Sequence, residues 1–288
     1  MKISTKKALT GLALVAPILL GCLIFYAAPF LLVVNNAFSW GTGYMKRGVG
    51  IQNFRAMLEN ELFRLAFFNT LRFLLVGLPL LLVIAYGIAL MLKSRVEKNR
   101  LFKSVLMLPY IMPVVGAVVL VEAVFGRNGL LDFLATSLGL PVQDWLNSSC
   151  AFGAVLMLFL WKNTGYGVIL LLSGLMAIDE EQYGASRLDG ATDWQQFRYI
   201  TVPQMWYSVY FCAVFSLINA FKCFREIFLL GGAHPHESIY MLQHFINNTF
   251  ANLNYPKLAV ASIFLFLTMT AIFALCYRWV LRKEAFRE

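Results

Sequence analysis

Ala8-LTGLALVAPILLGCLIFYAAPFLLVVNNA-Phe38 carries no formal charge, and the uncharged run continues to Met45. A bilayer core about 30 Å thick is crossed by about 20 apolar residues rising 1.5 Å each, so this stretch is long enough for a membrane-spanning helix. Two features imitate other signals. Lys2, Lys6 and Lys7 ahead of an apolar run resemble a signal peptide, and Leu19-Leu20-Gly21-Cys22 resembles a lipoprotein cleavage box. A secretory apolar core, however, is about 7–15 residues long and ends in polar sequence. Here the run passes Cys22 and goes on through Phe30, Leu31, Leu32 and Val33. An uncleaved first span, about 8–38, is the expectation.

The same pattern recurs along the chain, at about 67–92, 104–125, 151–172, 203–230 and 258–279. In lipid a backbone must satisfy its own hydrogen bonds, so each stretch reads as a helix. The expected fold class is therefore an all-α integral membrane protein with six transmembrane helices in one domain, 1–288. Composition agrees. Of the 288 residues 60% are hydrophobic and 14% charged, with mean hydropathy +0.70, whereas a soluble domain has about a quarter of its residues charged. The net charge of +9 sits in short clusters between apolar runs, not in a basic stripe interleaved with aromatics, which excludes a nucleic-acid role. Cys22, Cys150, Cys212, Cys223 and Cys276 show no paired spacing, so neither a disulfide framework nor a zinc site is expected.

Short loops richer in Lys and Arg stay on the cytoplasmic side. With the N-terminus inside, the inner segments hold Lys2, Lys6 and Lys7, the Lys93–Lys103 cluster, Arg187 and Arg198, and Arg278, Arg282, Lys283 and Arg287. They outnumber the basic residues of the outer segments about two to one. Both termini are therefore expected to be cytoplasmic, and so is the segment between the fourth and fifth spans.

That segment, about 179–203, reads Asp179-EEQYGASRLDGATDWQQFRYITV-Pro203. Acidic residues at 179–181 suit the first turn of a helix, where the dipole favours negative charge. Gly190 suits a helix stop. Thr192 or Asp193 can cap a second short helix that places Trp194 and Phe197 on one face, and Pro203 suits the first turn of the next helix. The local rules thus predict a helix–turn–helix with apolar groups to offer, either to membrane headgroups or to a partner.

The stretch resembles the "EAA" loop of binding-protein-dependent ABC importer permeases, whose sugar-type pattern is close to E-x-Y-E-A-A-x-I-D-G-A-x-x-W-x-x-F-x-x-I-T-L-P. Glu181, Tyr183, Ala185, Leu188, Asp189, Gly190, Ala191, Trp194, Phe197, Ile200, Thr201, Val202 and Pro203 fit it. Gly184 stands where the family has its glutamate, and Ser186 where it has the second alanine. Weaker matches follow in order: Val49–Phe54 with Asn69-Thr70-Leu71, then Gly129-Leu130-Leu131, Trp161–Tyr166, and Phe224–Ile227 before Gly231-Gly232. They resemble the glycerol-phosphate, multiple-sugar and maltose-type permeases. The resemblance implies a coupling loop that docks on a cytoplasmic ATPase and carries its closure to the helices. It also implies two ATPase subunits that bind ATP and Mg, a second permease subunit forming a heterodimer, an external solute-binding protein, and a carbohydrate or glycerol-phosphate-like solute. No phosphate-cradling G-x-x-x-x-G-K-[ST] loop occurs in this chain, so no cofactor is expected in it and no catalysis by it.

A Lys or Arg at the bilayer centre costs roughly 2.5–3.5 kcal/mol and usually faces a bundle interior or water. Lys162 is such a residue. Asn219, Lys222 and Glu226 fall within about 60° on a helix, with Arg225 beside them. This stripe, with Lys162 and Asn163, is the candidate translocation path, able to hydrogen-bond hydroxyls or pair with an anion. The alternative is structural: a Lys222–Glu226 pair on one helix, or Lys162 joined to Glu122 or Glu226 to hold the bundle. His234 and His236 are expected to contact the external binding protein rather than a metal. An ATP-independent transporter or channel, with the intramembrane charges as ion-coupling groups, and a non-transporting scaffold are the competing functions.

Overall fold

The computed structural model describes residues 5–41, 46–93 and 100–284. The basic residues expected at 1–4, 94–99 and 285–288, and with them the expected sidedness of both termini, fall outside those residues. The chain is mostly helical. It runs through α1 (Thr5–Cys22), α2 (Ala28–Ala37), β1 (Ser39–Trp40), β2 (Arg47–Gly48), α3 (Gln52–Glu59), α4 (Glu61–Lys93), α5 (Arg100–Ile111), α6 (Val114–Phe125) and α7 (Leu130–Ser137). There follow α8 (Ala151–Met176), α9 (Glu180–Leu188), α10 (Asp193–Gln196), α11 (Val202–Gln204), α12 (Trp206–Lys222), α13 (Phe224–Gly231), α14 (Leu242–Ala251) and α15 (Tyr255–Glu284).

Five described stretches are long and apolar enough to cross a membrane: Gly11–Ala37, Glu61–Lys93, Val114–Ser137, Ala151–Met176 and Tyr255–Arg278. The third and fifth expected spans are each interrupted. Residues 104–125 divide at Met112-Pro113, where Pro113 takes an extended ψ of 147° and caps α6. Proline has no N–H to give and disfavours the helical conformation in the residue before it. Residues 203–230 divide at Cys223 into α12 and α13, and α12 alone, with 17 residues, is just short of a span.

Proline is handled differently at two other places. A π turn over Leu23–Ala27 precedes Pro29, and another over Phe197–Thr201 precedes Pro203. In them Ala28 N–H bonds to Leu23 O, and Val202 N–H to Phe197 O. Widening the ring by one residue keeps these donors satisfied next to a proline that would crowd the carbonyl four residues back.

Contacts divide the chain into two compact units, residues 1–64 with 246–268, and 65–245 with 269–288. In the first, β1 and β2 pair antiparallel, Ser39 opposite Gly48. Asn53 Nδ2 donates to Ala37 O and Ser39 O, each at 2.9 Å, and Phe264 meets Phe63 and Phe54. In the second, Phe73, Leu81, Phe159, Leu217 and Ile227 build one core cluster, and Ala85, Val168, Leu171, Met205 and Cys212 another. Asn69 Nδ2 donates to Glu237 O and Tyr240 O, and Thr70 Oγ1 accepts from Leu242 N. One amide and one hydroxyl on α4 thereby hold the start of the 237–242 segment.

The glycines of α8 set how closely its neighbours approach. A Cβ on Gly165 would lie 1.7 Å from Leu106 O on α5, and one on Gly174 would lie 2.1 Å from Ser208 Oγ on α12. Small residues at helix interfaces let backbones meet, which is how membrane helices gain packing without a hydrophobic drive. Gly165→Ala should therefore push α5 off α8 and cost at least the ~1–3 kcal/mol of ordinary overpacking. Thermal unfolding in detergent should show a lower midpoint for Gly165→Ala, and an unchanged midpoint would contradict the close approach.

Candidate functional site

Two places gather the chemistry that the sequence singles out. The first is the segment joining α8 to α12. Asp179 caps α9, its carboxylate accepting from Glu181 N at 3.0 Å. The helix ends at Leu188, and Gly190 turns the chain with φ +81°, a conformation that costs glycine little. Thr192, not Asp193, caps α10. Gln195 N donates to Thr192 Oγ1, and Thr192 N donates to Gln195 Oε1, a capping box.

The two short helices are tied together by polar contacts. Gln196 Nε2 donates to Tyr183 O at 3.1 Å and to Ser186 Oγ at 2.8 Å, and Tyr183 Oη lies 2.8 Å from Thr201 Oγ1. Lys93 at the end of α4 places its ammonium 4.0 Å from the centre of the Tyr183 ring and 3.3 Å from Glu180 Oε1. Tyr183 and Ile200 pack against the core around Leu171 and Met205. Leu188, in contrast, is 92% exposed and Trp194 69%, with Trp194 against Phe197 at 5.6 Å. Glu181, Gly184, Ala185, Asp189 and Gly190 are exposed as well, and Ala191 and Ser186 are half-buried. One side of the segment is thus anchored, and the other presents large apolar side chains. Gln196 went unnoticed in the sequence, and Thr201 stood out only through its place in the loop pattern, because no short-range pattern marks a contact between side chains ten or more residues apart.

The second place is a cavity of about 160 Å³ in the unit formed by 65–245 and 269–288. All six candidate path residues, Lys162, Asn163, Asn219, Lys222, Arg225 and Glu226, line it, and Tyr110 joins them. Glu226 Oε1 accepts from Lys162 Nζ at 2.5 Å, with the two side chains only 7% and 14% exposed. Of the structural alternatives, this is the inter-helix pair. No Lys222–Glu226 or Lys162–Glu122 pair occurs among the described residues. Asn163 Nδ2 is spent on Phe159 O. Tyr110 stacks on Tyr166, centroids 4.7 Å apart and 13° from parallel, a pairing across α5 and α8 that helical periodicity within one segment does not reveal.

Outside the candidate spans, Arg127 Nη2 meets Asp144 Oδ2 at 2.9 Å, and that bond holds the Asp144 carboxyl below the usual carboxylate range. His236 Nδ1 bonds Ser238 Oγ and accepts from Ser238 N. Burial pushes the His244 imidazole down to about 4, and its Nδ1 accepts from Met241 N at 3.2 Å. Among the described residues no group of three or more His, Cys, Asp or Glu side chains could hold a metal.

A family model described as "Binding-protein-dependent transport system inner membrane component" matches residues 81–285. The trehalose/maltose transport system permease protein MalF of Thermococcus litoralis is 26% identical over 238 residues, 81% of each chain. The arabinooligosaccharides transport system permease protein AraP of Bacillus subtilis is 30% identical over 220 residues, 75% of this chain and 70% of that one. A solved bacterial ABC transporter involved in the import of the acidic polysaccharide alginate superposes with a TM-score of 0.78 at 21% identity, covering 96% of both chains. That likeness concerns the fold.

Two measurements check the geometry. Removing one member of a buried ion pair leaves an uncompensated charge and costs about 3–5 kcal/mol, whereas replacing both with apolar groups is near neutral. Lys162→Met and Glu226→Leu should each lower the thermal midpoint strongly, and the double substitution should recover most of the loss. A double variant as unstable as the sum of the singles would contradict the pairing. At position 184 a Cβ would meet nothing within 4 Å, and a mid-helix glycine costs about 0.5–1 kcal/mol against alanine. Gly184→Ala should therefore raise the midpoint slightly.

Proposed function

The chain belongs to the family of binding-protein-dependent transport system inner membrane components, and on that premise we propose that it is one membrane-spanning permease subunit of an ATP-driven importer for a carbohydrate or related polar solute. It is a multi-pass protein of the cell membrane, and its curated relatives are ABC transporter permeases of sugar systems. The observation that carries the finer reading is the segment 179–203. One side is fastened to the core through Tyr183, Gln196 and Thr201, and the other exposes Leu188 and Trp194. A lever needs both a rigid attachment and a free contact surface.

In this reading the chain spans the membrane six times with both termini in the cytoplasm, α12 and α13 together forming the fifth span. The segment 179–203 lies on the cytoplasmic side and docks on one of two ATPase subunits, which bind ATP and Mg. A second permease subunit completes the pathway as a heterodimer. A loaded binding protein docks on the external loops, ATP binding closes the ATPase pair, and the segment conveys that motion through Pro203 into α12. Solute then passes the polar cavity by alternating access. This subunit performs no chemistry on the solute. The absent glutamate at 184 fits a weaker or asymmetric docking, to which Glu180 and Glu181 contribute in its place.

The test is co-purification from the native cell. Tagged wild-type chain should bring down an ATPase, a second six-span permease and, under gentle conditions, the binding protein. Leu188→Lys with Trp194→Ala alters only exposed side chains, so the permease pair should persist while the ATPase is lost and ATP-dependent uptake falls to background. A chain that purifies alone and moves solute in vesicles without ATP would overturn the proposal in favour of a secondary transporter or channel.

A further inference from the structure

The polar cavity holds more positive charge than it can neutralise. Its wall carries three cations, Lys162, Lys222 and Arg225, and one carboxylate, Glu226. Lys162 already occupies Glu226 Oε1. Among the described residues no carboxylate oxygen lies within 4.0 Å of Lys222 or Arg225. An excess of two positive charges faces a cavity flanked by the apolar side chains of Val114, Leu158 and Phe159. Lys222 and Arg225 are both solvent-exposed, so an anion entering the cavity can reach two cations that no carboxylate already neutralises.

The same wall provides for hydroxyl groups. Glu226, 5% exposed, is committed to Lys162 and fixes that wall. Asn219 adds an amide that can both donate and accept, and Tyr110, held by its stacking on Tyr166, adds an aromatic surface.

We infer that this cavity takes an anionic, polyhydroxylated solute, a sugar bearing a carboxylate, phosphate or sulfonate group, with Lys222 and Arg225 as the charge-reading residues. This deepens the importer reading and rests on it. Arg225 offers a planar fork matched to a carboxylate or phosphate edge, and Lys222 a mobile point charge. The Lys162–Glu226 pair holds the wall in place. A neutral sugar would satisfy Asn219 but leave both cations without a counter-charge.

The experiment uses the assembled importer in nanodiscs of zwitterionic lipid, without its binding protein, titrated calorimetrically with trigalacturonate and with maltotriose at constant ionic strength. One charge-assisted contact corresponds to about 10- to 100-fold in affinity, so trigalacturonate should bind at least about 10-fold more tightly than maltotriose. The preference should shrink as sodium chloride is raised. Lys222→Gln with Arg225→Gln, both exposed positions, should abolish the preference while leaving subunit co-purification unchanged. Equal affinities, tighter maltotriose binding, no trigalacturonate binding, or a preference that survives the double substitution would each overturn the inference. In any of those cases a complex that keeps its ATPase and hydrolyses ATP leaves the importer reading standing. A complex without an ATPase removes that reading instead.

Discussion

A carbonyl or N–H in hydrocarbon has no water to turn to, and the rest of this molecule follows from that shortage. It makes the apolar runs helical, and it shapes the chain around Pro29, Pro113 and Pro203. Where a proline could be absorbed by widening one turn, at Pro29 and Pro203, the ladder continues through a π turn. At Pro113 it breaks, and α5 and α6 become separate helices. The same shortage governs side chains. Lys162 and Glu226 pair across two helices, because an uncompensated charge buried that deeply is costly.

Local signals in the sequence were the legible ones. The acidic start at Asp179, the glycine stop at 190 and the cap at Thr192 depend on residues within four positions of one another, and the helices begin and end there. Helical periodicity also grouped Asn219, Lys222 and Glu226, which do share one cavity wall. Hydropathy was a poorer guide to continuity, because averaging over twenty residues is blind to a single missing N–H. The division at Pro113 was lost for that reason; the one at Cys223, whose N–H still bonds Asn219 O, has no proline to mark it. What sequence could not convey at all was proximity between helices. The near-contact of Gly165 with Leu106 O, the stacking of Tyr110 on Tyr166 and the choice of Glu226 over Glu122 as the partner of Lys162 are decided by packing.

The two candidate regions differ in how they are held. The cavity lies on α5, α6, α8, α12 and α13 and depends on one ion pair and close-packed apolar neighbours. The segment 179–203 depends on neutral hydrogen bonds from Tyr183, Gln196 and Thr201, with Lys93 above the tyrosine ring. Neutral bonds of about 1 kcal/mol each hold the segment against the core without burying a charge.

The two π turns have a bearing on chain length. Each carries one residue beyond what an α-helix needs between its flanks. Removing that residue restores an ordinary turn and leaves the helices on either side facing as they did, whereas a deletion elsewhere in a span rotates everything beyond it by about 100°. Near Ala27 and Thr201, then, the chain has a place where its length can drift by one while the helices on either side keep their facing. Among helices counted against the thickness of a bilayer, those two turns are the slack.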